Sequence, residues 1–155
     1  MRTLGWITGC LVLASMAAAT AHASERKINH DQLPAAVQAA ADKEAQGATV
    51  KGFSTEVEGG KRVYEMETIV SGHTRDLQFA ADGTLTEVEE ELTLDSLPAD
   101  VHSALMAKAG SATIVKVESL TRQGKLVAYE AATEKGSKHG EIQVGPAGET
   151  LKHEE

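Results

Sequence analysis

The chain contains the same succession of short segments twice, and this repetition constrains its fold more than any other feature. The recurring pairs are Leu33-Pro34-Ala35-Ala36-Val37 with Leu97-Pro98-Ala99-Asp100-Val101, Val63-Tyr64-Glu65 with Ala128-Tyr129-Glu130, and Asp76-Leu77-Gln78-Phe79 with Glu141-Ile142-Gln143-Val144. The first pair is 64 residues apart, from Leu33 to Leu97. Such a period is too long for a solenoid repeat and suits two tandem modules.

Each copy begins with a predicted helix and continues as a predicted antiparallel meander. The helices open at Leu33-Pro34 and Leu97-Pro98, and apolar residues then recur at helical spacing. Alternating residues bounded by glycine turns predict strands over 49–58, 61–70, 75–80 and 84–91, and again over 113–120, 126–133, 140–144 and 150–153.

The alternation within the strands predicts one buried and one wet sheet face. The buried face should carry Tyr64, Met66, Leu77, Phe79, Tyr129, Ala131, Ile142 and Val144. We therefore predict an α+β fold of two tandem modules, 24–92 and 93–155, each with one helix packed on a small antiparallel β-meander. Leu92, Leu94 and Leu97 are expected at their junction.

Residues 1–23 have the anatomy of a signal peptide. Arg2 precedes an apolar stretch, and Ala21-His22-Ala23 predicts cleavage between Ala23 and Ser24. Ile7-Thr8-Gly9-Cys10 also resembles a lipoprotein box, but the apolar run continues past Cys10, which favours simple cleavage. Cleavage would leave a periplasmic or secreted chain with no cysteine and no second long apolar run, hence no disulfide and no membrane anchor.

The charge balance constrains the class of partner. The formal net charge is -8, and loss of Arg2 with the leader makes it one unit more negative. Nucleic acid and anionic lipid both require a basic surface, so neither is an expected partner. The balance favours another envelope or secreted protein, and a basic one in particular.

Alternating carboxylates supply the candidate functional residues. Glu65 and Glu67 share one strand face, and Glu87 and Glu89 lie in a dense acidic run. These four could hold a divalent cation through carboxylate oxygens, whereas the same alternation is typical of a solvated strand face. Nucleophile motifs, phosphate-binding glycine loops and paired metal-ligand spacings are absent. We therefore predict no catalytic residues, no cofactor and no enzyme activity.

The quoted repeats, together with Ala80-Ala81-Asp82-Gly83-Thr84-Leu85, resemble the PepSY and PepSY-like domains of exported bacterial proteins. In that superfamily a helix packs on a small antiparallel sheet, and tandem copies resemble the β-lactamase-inhibitor-protein arrangement. The second copy departs from the pattern, because Pro146-Ala147-Gly148 replaces the Asp-Gly turn. The resemblance implies a non-catalytic module that binds or inhibits peptidases or senses the cell envelope.

Two hypotheses of different class follow. The first is an exported binding module, inhibitor-like or envelope-sensing, that uses an exposed sheet face or the groove between modules. The second is a periplasmic cation-binding protein that uses the surface carboxylates. A hydrolase is the least supported, because it would need a pocket with convergent polar groups.

Overall fold

The computed structural model describes residues 23–151, with side chains from residue 25. The predicted leader with Cys10 lies outside the described residues, as do residues 152 and 153 of the last predicted strand. Ala23, the residue before the predicted cleavage point, is the first one described. Among the described residues, no helix is both long enough and apolar enough to cross a membrane.

Eight strands and two α-helices make up the fold. The strands are β1 Ala23–Ile28, β2 Thr49–Glu58, β3 Lys61–Val70, β4 His73–Ala80, β5 Leu85–Leu92, β6 Thr113–Arg122, β7 Lys125–Lys135 and β8 Lys138–Val144. The helices are α1 Ala35–Glu44 and α2 Ala99–Ala109, preceded by the short 3-10 helices His30–Gln32 and Leu94–Ser96.

All eight strands form one antiparallel sheet in chain order. The prediction of two tandem modules, each a helix on its own small meander, is therefore wrong. The reason is the pairing of β5 with β6, which runs from Glu87 opposite Arg122 to Leu92 opposite Val117. These backbone hydrogen bonds join what would otherwise be two exposed sheet edges, and an exposed edge is a liability for a small sheet.

One face of the sheet is covered by both helices. On β3 and β4, Tyr64, Met66, Leu77 and Phe79 point to this face and are buried, as the alternation predicted. They pack with Val37 and Ala41 of α1. A second cluster joins Val101 and Leu105 of α2 to Leu97, Val117, Ala131 and Val144. Tyr129 and Ile142 are half-buried against that second cluster.

Two tight turns place the sheet against the starts of the helices. Gly83 donates its backbone N–H to the Ala80 carbonyl, and Gly148 donates in the same way to Gly145. Both glycines have positive φ, +84° and +80°. A Cβ on Gly83 would lie 2.5 Å from the Ala36 carbonyl oxygen of α1, and one on Gly148 would lie 2.7 Å from that of Asp100 in α2. The altered second turn thus keeps the backbone geometry of the first.

The local strand predictions succeed where a turn fixes both ends. β2 and β3 have the predicted bounds, because Gly59-Gly60 separates two alternating runs. β1 was missed. It pairs with β2 at the edge of the sheet, and Ile28 is the residue that joins it to the first hydrophobic cluster. The last predicted strand is not seen at residues 150 and 151, which are irregular.

Candidate functional site: the carboxylate face

The face of the sheet that neither α-helix covers is rich in acidic side chains. The strand register brings the following onto this side: Glu56 and Glu58 on β2, Glu65 and Glu67 on β3, Asp76 on β4, Glu87, Glu89 and Glu91 on β5, Glu118 on β6, and Glu130 on β7. We call this set the carboxylate face. In an antiparallel sheet, residues directly opposite each other point to the same side, so the register alone assembles this set.

The middle of the carboxylate face is shielded from water although no α-helix packs on it. Leu120 on β6 is 2% exposed and Ala128 on β7 is fully buried, and neither belongs to the clusters beneath the helices. Glu118, next to them, is only 8% exposed. Long side chains from adjacent strands therefore cover an apolar floor, and the carboxylates lie in a poorly hydrated setting.

This setting raises the pKa of four carboxyl groups. Burial raises the pKa of Glu89 from 4.5 to about 8 and that of Asp76 from 3.8 to about 6, and neighbouring carboxylates add to both shifts. Burial likewise raises the pKa values of Glu65 and Glu130 to about 7. Desolvation penalises the charged form of a carboxyl, and nearby negative charge does the same.

Two basic residues of β6 partly neutralise the carboxylate face. Lys116 Nζ lies 2.6 Å from Glu118 Oε1, and Arg122 Nε donates to Glu87 Oε2 at 2.6 Å. The positive charge of Lys116 also opposes the rise in the pKa of Asp76. Both cations are therefore already engaged with carboxylates of this face.

Other carboxylates are held by neutral donors. The Thr74 backbone N–H and hydroxyl both donate to Glu91 Oε2, at 2.9 and 3.1 Å, and these bonds lower the pKa of Glu91. Ser54 Oγ donates to Glu65 Oε2 at 3.2 Å, and Gln143 Nε2 donates to Glu130 Oε2 at 2.6 Å. Fixed partners such as these hold the carboxylates in defined positions.

The carboxylates converge at two places. One oxygen from each of Asp76, Glu89 and Glu118 lies within 4.8 Å of the other two. Beside this group is an open depression of about 60 Å³, lined by Glu56, Glu58, Glu65, Asp76, Leu77, Gln78, Glu87 and Glu89. That volume is far below the several hundred Å³ of a typical small-molecule site.

The four residues predicted from the sequence are only partly brought together. Glu65, Glu87 and Glu89 line the depression, whereas Glu67 lies opposite Asp76 and outside it. Asp76, Glu118 and Glu130 were missed. Each is isolated on its own strand in the sequence, so only the register of β4, β6 and β7 shows that they are neighbours. The expectation of a solvated face does not hold for Glu65 and Glu89, since both are half-buried.

Comparison with known proteins establishes the fold. No family model matches the chain, and no curated protein matches it. A DUF2874 family protein from Bacteroides ovatus has a similar structure, with a TM-score of 0.62 and 20% identity over 79% of this chain and 86% of that one. A protein from Bacteroides eggerthii, provisionally described as periplasmic, gives a TM-score of 0.64 at 21% identity, over 77% and 86% of the two chains.

A third similar structure bears on the predicted arrangement. A BLIP-like protein from Bacteroides fragilis gives a TM-score of 0.56 at 23% identity, over 75% of this chain and 81% of that one. The resemblance to the β-lactamase-inhibitor-protein arrangement is thus confirmed at the level of the fold. At these identities the likeness concerns the fold alone, and function must be argued from the carboxylate face.

Proposed function

We propose that this chain is an exported, non-catalytic binding protein whose carboxylate face docks a positively charged protein. The observation that carries the proposal is the concentration of half-buried carboxylates on the one sheet face that no α-helix covers. Charge complementarity steers association and selects partners, so such a face favours Lys- and Arg-rich surfaces.

The dimensions of the carboxylate face favour docking over catalysis. Carboxyl groups with pKa values near 6 and 8, such as Asp76 and Glu89, could exchange protons at neutral pH. A reaction also requires space that holds a substrate and excludes water, and the open depression beside them measures only about 60 Å³. An acidic sheet face with an open depression of this size is better suited to a protein surface that supplies one or two basic side chains.

Two further observations support an envelope location and a protein partner. The predicted signal peptide at 1–23 and the provisionally periplasmic neighbour both favour the periplasm or secretion. The PepSY-like motifs and the BLIP-like neighbour favour a peptidase or another hydrolase as the class of partner, with envelope sensing as a related role. No role with nucleic acid or with membrane lipid is proposed, because the face is acidic.

The proposal is tested by affinity capture with a matched pair of variants. The immobilised mature chain, Glu65→Gln/Glu89→Gln and Asp31→Asn/Asp95→Asn are each exposed to envelope extract at low salt. Both double variants remove two carboxyl groups, but only the first alters the carboxylate face. A basic protein retained by the wild type and by the Asp31/Asp95 variant, and lost from the Glu65/Glu89 variant, supports the proposal. Equal retention by all three proteins contradicts it.

A cation-binding function is the second candidate, favoured by the three oxygens of Asp76, Glu89 and Glu118 within 4.8 Å of one another. Oxygen ligands in that number suit Ca²⁺ when further ligands complete the shell. Against this, the Lys116 ammonium already lies 2.6 Å from Glu118 and supplies positive charge there. Calorimetric titration with calcium, copper and zinc tests the cation-binding candidate. If none of the three produces heat above background, this candidate is removed.

A further inference from the structure

The carboxyl groups of the carboxylate face lie so close together that the ionisation of one opposes the ionisation of its neighbours. Glu89 lies directly opposite Asp76 across the β4–β5 pair, and Glu118 reaches the same point from β6. Leu120 and Ala128 form the buried floor beside them, so water screens these charges poorly. Full ionisation would place like charges within a few ångströms of each other, and either a proton or an added cation relieves that repulsion.

From this geometry we infer that docking on the carboxylate face releases protons, so that a cationic protein segment binds more tightly at pH 8 than at pH 6. The inference rests on the proposed function and adds its regulation. A docked ammonium or guanidinium stabilises the ionised carboxylates and so displaces the protons that relieved their repulsion. By linkage, the affinity then rises with pH over the interval in which protons are released.

The charged groups around the centre of the face leave a net excess of negative charge. In strand order they are Glu25 and Lys27 on β1; Glu56 and Glu58 on β2; Lys61, Glu65 and Glu67 on β3; Asp76 on β4; Glu87, Glu89 and Glu91 on β5; Lys116, Glu118 and Arg122 on β6; Lys125, Glu130 and Glu134 on β7; and His139 and Glu141 on β8. Of these cations, Lys116 and Arg122 are paired within the face.

The described histidines lie away from the converging carboxylates. His30 pairs with Asp42 at 2.9 Å, and His139 lies 3.3 Å from Glu134 near the end of the β7–β8 hairpin. His73 begins β4, where its charge contributes to lowering the pKa of Glu91, and His102 lies in α2. A variant that alters only carboxylates therefore separates their protonation from that of the imidazoles.

The pKa values of these carboxyl groups place the change in affinity between about pH 6 and pH 8. Burial raises the pKa of Asp76 to about 6, those of Glu65 and Glu130 to about 7, and that of Glu89 to about 8. Below this interval these carboxyls are protonated and attract a cation weakly, whereas above it they are ionised. Lysine side chains stay charged throughout because their ordinary pKa is near 10.4.

The test uses decalysine as the probe and isothermal titration at pH 6 and pH 8. Each titration is run in two buffers of different ionisation enthalpy, so that the released protons are counted directly. Wild type and Asp31→Asn/Asp95→Asn are expected to bind roughly tenfold or more tightly at pH 8, with at least one proton released near pH 7. Glu65→Gln/Glu89→Gln should bind weakly at both pH values and release fewer protons.

The outcomes separate the linkage from the docking proposal. Tight binding of decalysine that is equal at both pH values, with no protons released, overturns the linkage and leaves docking intact. Binding that the Glu65/Glu89 variant retains in full overturns docking on this face. In the uncomplexed protein, NMR titration of the Glu65 and Glu89 side-chain carboxyls near their ordinary pKa of 4.5 overturns the linkage regardless of any partner.

Discussion

Glu89 lies directly opposite Asp76 in the β4–β5 pair, and both side chains project from the sheet face that the α-helices leave uncovered. Like charges directly opposite each other on a sheet are destabilising. Burial and this proximity together raise the pKa of each group. The protein thus retains an arrangement that weakens its own fold at neutral pH, as is common at functional surfaces.

The first prediction concerns stability and pH. A carboxyl whose pKa is higher in the folded state binds more protons folded than unfolded, so the free energy of unfolding falls as pH rises between the two pKa values. For Glu65, Glu89 and Glu130 this interval runs from about 4.5 to about 7 or 8. Urea denaturation should therefore show higher stability at pH 5 than at pH 8.

A single substitution isolates the contribution of Glu89. Glu89→Gln removes the charge and keeps the shape, so it should stabilise the protein at pH 8 by about 1–3 kcal/mol and have little effect at pH 5. Asp31→Asn, in an exposed 3-10 helix, is the control and should change neither value. A Glu89→Gln protein that is less stable than wild type at pH 8 would contradict the pKa assignment.

The second prediction concerns Lys116. Its ammonium lies 2.6 Å from the buried Glu118 carboxylate, and removal of one partner leaves the other charge uncompensated. Lys116→Gln should destabilise the protein by about 3 kcal/mol at pH 8. Chemical denaturation measures the loss, with Lys125→Gln, at an exposed strand start, as the control.

A double substitution shows whether the Lys116 effect acts through Glu118. If it does, Lys116→Gln/Glu118→Gln should recover most of the lost stability, because no unpaired charge remains. A double variant that is as unstable as the sum of the two single variants would show that Lys116 stabilises the fold by other contacts.

The third prediction concerns the two turn glycines. Gly83→Ala and Gly148→Ala each add strain at positive φ and a Cβ that collides with helix backbone at 2.5 or 2.7 Å. Gly60→Ala is the matched control, since Gly60 has φ +79° and nothing within 4 Å of an added Cβ. The free energy of unfolding of the control should fall by about 1–2 kcal/mol from backbone strain alone. Those of Gly83→Ala and Gly148→Ala should fall by more, because the added Cβ also collides with helix backbone. Equal losses would show that the turns do not fix the helices.

The fourth prediction concerns cooperativity. Phe79 lies in the cluster under α1 and Leu105 in the cluster under α2, and both are almost fully buried. Because β5 and β6 join the sheet, each variant should unfold in one transition. The free energy of unfolding should fall by about 3–5 kcal/mol in Phe79→Ala and by about 2–5 kcal/mol in Leu105→Ala. Two separate transitions in either variant would contradict a single continuous sheet.

Local patterns predicted the elements better than their assembly. Glycine pairs and alternation define β2 and β3, and the repeated Leu-Pro segments locate both helices. The β5–β6 pairing joins two strands that α2 separates in the sequence, so no local pattern indicates it. β1 lacks alternation, and it is anchored to the first hydrophobic cluster through one residue, Ile28. Tertiary pairing decides both features, so sequence alone could not supply them.

For the candidate site as well, the sequence pattern predicted which strand face the carboxylates occupy but not how deeply they are buried. Alternation placed Glu65 and Glu67 on the side opposite Tyr64 and Met66, which the structure bears out. It could not show that Glu65 lies in a central, poorly hydrated position, because burial on a sheet face depends on the strands to either side. The largest rise in pKa is that of Glu89. It arises first from burial and then from carboxylates on other strands, including Glu118 and Glu130.

Mapping the surface that a cationic probe contacts tests whether the carboxylate face is the docking site. Decalysine is added to ¹⁵N- and ¹³C-labelled mature protein at pH 8, and backbone and carboxyl chemical shifts are followed. We expect changes at Glu65, Asp76, Glu89 and Glu118, and only small ones in α1 and α2. Changes centred on the helices, with the carboxyl signals of Glu65 and Glu89 unmoved, would contradict docking on this face.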